Sequence, residues 1–107
     1  MNLNQVTLPV KDMNEAVAFY LTLGMIQIVD TPHYARFQCP DGDATFSLSL
    51  ETEEFSNSAV IYFEHEQLDE LYATLVEKGI SFEQPPTAQR YLWTEAILKD
   101  PSGNKIK

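Results

Sequence analysis

The chain carries an internal repeat, and a repeat limits its folds more than any single motif does. Val10–Gly24 reads VKDMNEAVAFYLTLG and His65–Gly79 reads HEQLDELYATLVEKG, in register 55 residues apart. Met13, Ala16, Val17 and Tyr20 of the first copy match Leu68, Leu71, Tyr72 and Leu75 of the second. Both sets follow the i, i+3, i+4, i+7 spacing that lines one helix face with apolar side chains. Asp12 before Glu15, and Gln67 before Glu70, put a polar side chain at the expected N-cap and a carboxylate at the third helical position. Asp12 is a good cap and Gln67 a poor one. Gly24 and Gly79 fit the left-handed position just past a helix end. In 107 residues, two copies give units of roughly fifty, each too small to bury a sizeable core alone. The expectation is therefore one duplicated domain over 1–107, with modules of about 1–54 and 55–107.

Strands flank both helices. Leu3–Val10 alternates, with Val6, Leu8 and Val10 on one face and Gln5, Thr7 and Pro9 on the other, and Ala59–Glu64 stands in the same relation to the second helix. Met25–Val29, Tyr34–Gln38 and Thr45–Leu50 follow the first helix, the last two joined by a Pro40-Asp41-Gly42-Asp43 turn. Ile80–Phe82, Tyr91–Leu98 and a strand starting near Lys105 follow the second, with Asp100-Pro101-Ser102-Gly103-Asn104 as the last turn. Each half reads βαβββ, an α+β pattern. A ferredoxin-like chain would place only two strands between its helices, and here there are four. The final strand is so short that the edge of the second sheet is expected to be exposed.

Composition narrows the partners. With 7 basic and 16 acidic residues the chain carries a net charge of −9, which disfavours nucleic acid and anionic membrane surfaces and favours cations. Seven acids and no base lie between Glu51 and Glu70, readable as a solvated segment or as the wall of a pocket. No apolar run approaches the ~20 residues of a membrane span, and the first residues lack the basic flank and apolar stretch of a signal peptide. Cys39 is the one cysteine, which fits a cytoplasmic protein, and its place beside Pro40 and next to a hairpin turn makes it more a bystander than a nucleophile. Phosphate loops, CxxC pairs, GxSxG elbows and HExxH helices do not occur.

Two βαβββ units, the opening LNQVTLPVKDM, the helix with Ala-Phe-Tyr, the Leu-Gly-Met exit and the late EAILKDPSGNKI together resemble the vicinal oxygen chelate superfamily, over nearly the whole chain. That superfamily contains glyoxalase I, bleomycin and fosfomycin resistance proteins and extradiol dioxygenases. The resemblance implies two modules forming a half-open β-barrel cleft with helices packed outside, a ligand cavity on the concave face, and a homodimer. It also implies four metal ligands. The first falls on Gln5, a residue type that serves as a ligand there in some glyoxalases. Its repeat equivalent, commonly His, is Val60, which has no lone pair. The third falls on Ser47 or Ser49, with Glu51 as a frame-shifted choice, and the last, usually Glu, falls on Lys107, whose ammonium repels a dication. Divalent metals need several carboxylate or imidazole donors. The standard metal site is therefore expected to be lost, and no cofactor is expected.

Strand parity then places Gln5, Thr7, Ser47, Ser49, Tyr62 and Glu64 on the concave side. In Tyr91–Leu98, Leu92, Thr94, Ala96 and Leu98 suit packing under a helix, so Trp93 and Glu95 go to the cavity. Aromatic faces with carboxylates suit a planar or cationic organic ligand. The competing reading has Trp93 and Tyr62 filling the barrel and Glu95 paired with Arg90 or Arg36. A buried Glu64 or Glu95 would also permit metal-free acid–base chemistry. His65 is expected at a partly exposed core edge and His33 in solvent. The leading functional expectation is a metal-independent small-molecule-binding protein of bleomycin-resistance type. The alternatives are a glyoxalase-type lyase or dioxygenase with an altered metal site keyed on Gln5, Glu51 and a histidine, and a module for assembly with a partner domain.

Overall fold

The computed structural model describes residues 1–90 and 93–107. They form two compact units, Met1–Asn57 and Ser58–Lys107. In the first, β1 (Val6–Val10) leads into α1 (Met13–Thr22), followed by β2 (Ile26–Asp30), β3 (Tyr34–Gln38) and β4 (Thr45–Leu50). The strands form one open sheet in the order β1-β4-β3-β2, parallel at β1–β4 and antiparallel elsewhere. In the second, β5 (Val60–Ile61), α2 (Leu68–Glu77), β6 (Phe82–Ala88), β7 (Thr94–Lys99) and β8 (Lys105–Ile106) repeat the plan, with sheet order β5-β8-β7-β6. The expected βαβββ duplication is present.

Alternation explains the first unit. Directly paired residues share a sheet face, so Val6–Phe46–Phe37 and Leu8–Leu48–Ala35 form apolar rows under α1. The helix closes them with Met13, Ala16 and Tyr20, all buried. Tyr20, Phe37 and Phe46 meet as rings, with centroids 5.0 Å (Tyr20–Phe46), 5.5 Å (Phe37–Phe46) and 5.8 Å (Tyr20–Phe37) apart. In the second unit the corresponding row is Ile61–Ile106–Leu98–Phe82, and α2 reaches it through Tyr72, whose ring lies 4.7 Å from that of Phe82.

The helix ends differ between the copies in the way their residues suggest. Asp12 caps α1 by accepting a 3.0 Å hydrogen bond from the Glu15 backbone N–H. Gln67 makes no side-chain cap bond, and the Gln67 N–H donates instead to His65 Nδ1 at 3.0 Å. That gives His65, which is exposed, a local structural part. Gly24 and Gly79 stand at φ 100° and 93°, where a side chain would be strained.

Two expectations are corrected. The strand expected at Ile80–Phe82 runs instead over Phe82–Ala88 and includes Pro85 and Pro86. Proline cannot donate to a ladder, but β6 is an edge strand and its register with β7 breaks between Gln84 and Thr87, where the prolines sit. The first strand of the second unit spans Val60–Ile61, not Ala59–Glu64, with one further backbone bond from the Phe63 N–H to the Lys107 carbonyl at 2.9 Å. The final strand, β8, is flanked by β5 and β7 and pairs with Leu98 and Lys99 alone of the six residues of β7, so its shortness leaves the rest of β7 uncovered by it, in keeping with the expectation. The start of the strand expected over Tyr91–Leu98, including Leu92, lies outside the described residues; its described part begins at Thr94.

Candidate functional site

In each unit the sheet face opposite the helix carries the polar side chains. In the first unit the row Thr7–Ser47–Arg36 crosses β1, β4 and β3, and Pro9–Ser49–Tyr34 lies beside it. Parity therefore puts Gln5, Thr7, Ser47 and Ser49 on one face. Thr7 Oγ1 and Ser47 Oγ are hydrogen-bonded at 2.7 Å, and Tyr34 Oη donates to Gln5 Oε1 at 3.2 Å. Ser47 is fully buried and Ser49 half-buried. The sequence reading missed Tyr34 and considered Arg36 only as a partner for Glu95. The signal was available: Ala35 and Phe37 are the apolar positions of β3, which turns Tyr34 and Arg36 to the other face.

Tyr34 is chemically biased. The hydrogen bond to Ser47 chiefly, with the positive charge of Arg36, holds its phenol below the ordinary value of 10.0, against desolvation, which pushes the other way. Because the folded pKa is depressed, the unfolded chain binds more protons between Tyr34's own value and 10.0, so stability rises with pH across that window. The contribution is complete above 10.0 and falls away as pH drops through the folded pKa. A phenolate absorbance titration of the five tyrosines should therefore contain one early-ionising group that Tyr34→Phe removes. Retention of that early group in the variant would refute the assignment.

In the second unit, Tyr62 and Trp93 are each 57% exposed and lie close together, with ring centroids 6.4 Å apart at 33°. Glu95 is 8% exposed, and Lys107 Nζ lies 3.3 Å from its Oε1 and 5.8 Å from the Tyr62 ring centroid. Thus the carboxylate–aromatic cluster expected from Tyr62, Trp93 and Glu95 does assemble, with the chain's own ammonium in it. The partner imagined for Glu95 was Arg90 or Arg36, and the observed partner is Lys107. Register explains this, since β8 sits beside both β5 and β7 and carries Lys107 between Tyr62 and Glu95. Nor do Tyr62 and Trp93 fill an interior. Glu64 lies just past β5 and is exposed.

The remaining candidates separate from these faces. All seven acids from Glu51 to Glu70 are exposed, which favours a solvated segment over a pocket wall. His33 is exposed, as expected. Burial, with the nearby Asp41 carboxylate, pushes the Cys39 thiol up and away from nucleophilic character. A groove of about 490 Å³ beside α1, lined by Met13, Asn14, Val17, Asp30, Thr31 and Pro32, contains none of the candidate site residues.

The metal positions implied by the resemblance can be tested by their donors. In the first unit Gln5 Oε1 accepts from Tyr34, and Ser47 Oγ is bonded to Thr7. In the second unit Val60 supplies no donor and Lys107 is paired with Glu95. Among the described residues no three His, Cys, Asp or Glu side chains converge. One amide, hydroxyls and an ammonium do not fit a divalent cation, which requires several anionic or imidazole donors.

Duplicated βαβββ units, each an open four-stranded sheet with a helix on one face and a polar face opposite, define the class of fold. The chain belongs to the Glyoxalase/Bleomycin resistance protein/Dioxygenase superfamily, whose sequence profile matches residues 2–107. Among solved structures it is similar to a member of that superfamily from Sphaerobacter thermophilus DSM 20745, with TM-score 0.82 and 25% identity over 99% of this chain and 94% of that one. It also resembles in fold a family enzyme from Burkholderia phytofirmans PsJN, with TM-score 0.81 and 20% identity over 99% and 95% of the two chains. A bleomycin-binding protein complexed with bleomycin shares the fold at TM-score 0.77 and 21% identity, over 99% and 95%. No curated protein matches the chain at a significant level. No helix among the described residues is long and apolar enough to cross a membrane.

Proposed function

We infer that the protein binds a planar organic molecule without a resident divalent metal, using the exposed Tyr62–Trp93 face of its second unit. The observation that carries this reading is the pair itself. Two large aromatic side chains, each 57% exposed and 6.4 Å apart, present adjacent ring faces to a ligand. Lys107 beside Tyr62 keeps the Glu95 charge compensated, so the ring faces rather than the carboxylate offer the main attraction. A positively charged ring system gains further from the quadrupole of the rings and from the net charge of −9. The fold neighbour complexed with bleomycin supports ligand carriage on this architecture. The donor set described above supports the metal-free part. In this reading the protein works as a cytoplasmic homodimer.

Trp93 is the only tryptophan, so its emission reports directly on the face. Titration with 9-aminoacridine should quench it saturably and raise the thermal midpoint. By calorimetry, Trp93→Ala should weaken binding by about two- to tenfold, the effect of losing one aromatic contact of about 0.5–1.5 kcal/mol. Strong stabilisation by Ni, Zn, Mn or Fe ions, with no response to planar compounds, would overturn the reading in favour of a metal-dependent lyase or dioxygenase.

A further inference from the structure

The open face of the first unit contains a guanidinium with no carboxylate. Arg36 Nη2 donates to Asn4 Oδ1 at 3.1 Å and to Thr45 Oγ1 at 2.9 Å, which pins the group by neutral acceptors. Its Nε is shielded from solvent and has no hydrogen-bond partner. Among the described residues no acidic side chain lies within ion-pair distance of it. A buried donor without an acceptor destabilises the fold, and charge makes the deficit larger. Proteins leave few such groups, and those that persist call for an acceptor from elsewhere. The surroundings are donors or neutral: Thr7 and Ser47 complete its row, Tyr34 and Ser49 lie on the neighbouring one, and Gln38 and Thr45 lie on the other side. The acids of this unit are on α1, in turns, at the end of β2 and past the end of β4.

We propose that this face binds an anionic oxygen group, of carboxylate or phosphate size, between the free edge of the Arg36 guanidinium and the Tyr34 hydroxyl. Arg36 supplies the charge and the N–H donors of Nη1, since both Nη2 hydrogens are taken by Asn4 and Thr45 and Nε is shielded from solvent. Tyr34 adds an O–H that swings from Gln5 to the ligand, with Gln5 held in place as the acceptor it leaves. The reduced hold of Tyr34 on its proton makes that O–H a stronger donor. Asn4 and Thr45 orient the fork without neutralising it, as a binding site requires and a structural ion pair does not. This site lies in a different unit from the aromatic pair, so it stands or falls independently of the reading above.

The test uses nitrogen-15 spectra of the whole chain. Arg36 and Arg90 are the only arginines, so two Nε–H signals are expected, with exposed Arg90 as internal control. Titration with benzoate, benzamide and inorganic phosphate separates charge from ring. The proposal expects a saturable shift of the Arg36 signal with benzoate, with phosphate or with both, and none with benzamide. Benzoate alone would identify carboxylate ligands, and phosphate alone phosphorylated ones. In Arg36→Gln the benzoate affinity should fall at least tenfold, and in Tyr34→Phe, which keeps the ring, about threefold. If Arg36→Gln fails to fold, Tyr34→Phe and the Arg36 signal still decide. An Arg36 signal unmoved by either anion, equal responses to benzoate and benzamide, or shifts of the same size at Arg90 would overturn the proposal.

Discussion

Phe37→Ala should lower the unfolding free energy by about 3–5 kcal/mol, read as a shift of the urea midpoint followed by circular dichroism. Phe37 is 0% exposed and stacks on Phe46 with ring planes 15° apart, while Tyr20 closes on both from α1. Removing the ring forfeits its transfer free energy and leaves a cavity framed by two other aromatic rings and by the β1 and β4 rows. Rings cannot collapse into such a space as flexible aliphatic chains do, which places the cost toward the top of the range. Each lost aromatic pair adds about 0.5–1.5 kcal/mol to the area term. Against the roughly 5–15 kcal/mol that holds an ordinary domain, the variant should be largely unfolded at modest urea. Phe37→Leu, which retains most of the volume, should lose less than half as much. A loss below about 1 kcal/mol for Phe37→Ala would mean that the three rings are not the centre of the first unit's core.

How much of this could be read from the sequence depends on whether one strand or several set the outcome. Helix α1 and strands β1, β3 and β4 were legible because each carries its own signal: the spacing Met13, Ala16, Tyr20, the cap at Asp12, and apolar alternation from Phe37 to Leu48. Strand β6 was not. Pro85 and Pro86 read as a loop, and only edge position with an irregular ladder to β7 makes them tolerable there, a fact about neighbours rather than about the segment. The sites divide in the same way. Parity put Gln5, Thr7, Ser47 and Tyr62 on the concave side, and the small apolar residues on the other face of the strand sent Trp93 and Glu95 to the cavity. The partners of those residues depend on strand order. Lys107 meets Glu95 because β8 runs between β5 and β7, and Arg36 lies beside Ser47 because of the β3–β4 register. Neither order nor register is encoded within any one strand.

Asp100→Ala should cost about 2–4 kcal/mol and disturb the aromatic face of the second unit. The residue is 4% exposed, and its carboxylate organises the β7–β8 turn. Oδ1 accepts from the backbone N–H of Ser102 and of Asn104, both at 2.9 Å, and Oδ2 accepts from the Asn104 amide at 2.8 Å. Two backbone bonds close the same turn, Asp100 N–H to the Asn104 carbonyl at 2.9 Å and Gly103 N–H to the Asp100 carbonyl at 3.0 Å. Alanine removes both carboxylate oxygens at once, and with them these three hydrogen bonds. It leaves the Asn104 backbone N–H without its carboxylate partner in a buried setting, where an unmet donor costs more than a bond gains. The damage travels because this turn delivers β8 to the middle of its sheet, and β8 carries Lys107 to Glu95 and Tyr62. Trp93 emission should therefore shift before global unfolding in Asp100→Ala, while Phe37→Ala, centred on the other unit, should change emission only with unfolding. Asp100→Asn keeps one acceptor for the two backbone donors and should recover about half of the lost stability. Wild-type emission in folded Asp100→Ala would show that the turn does not govern where β8 places Lys107.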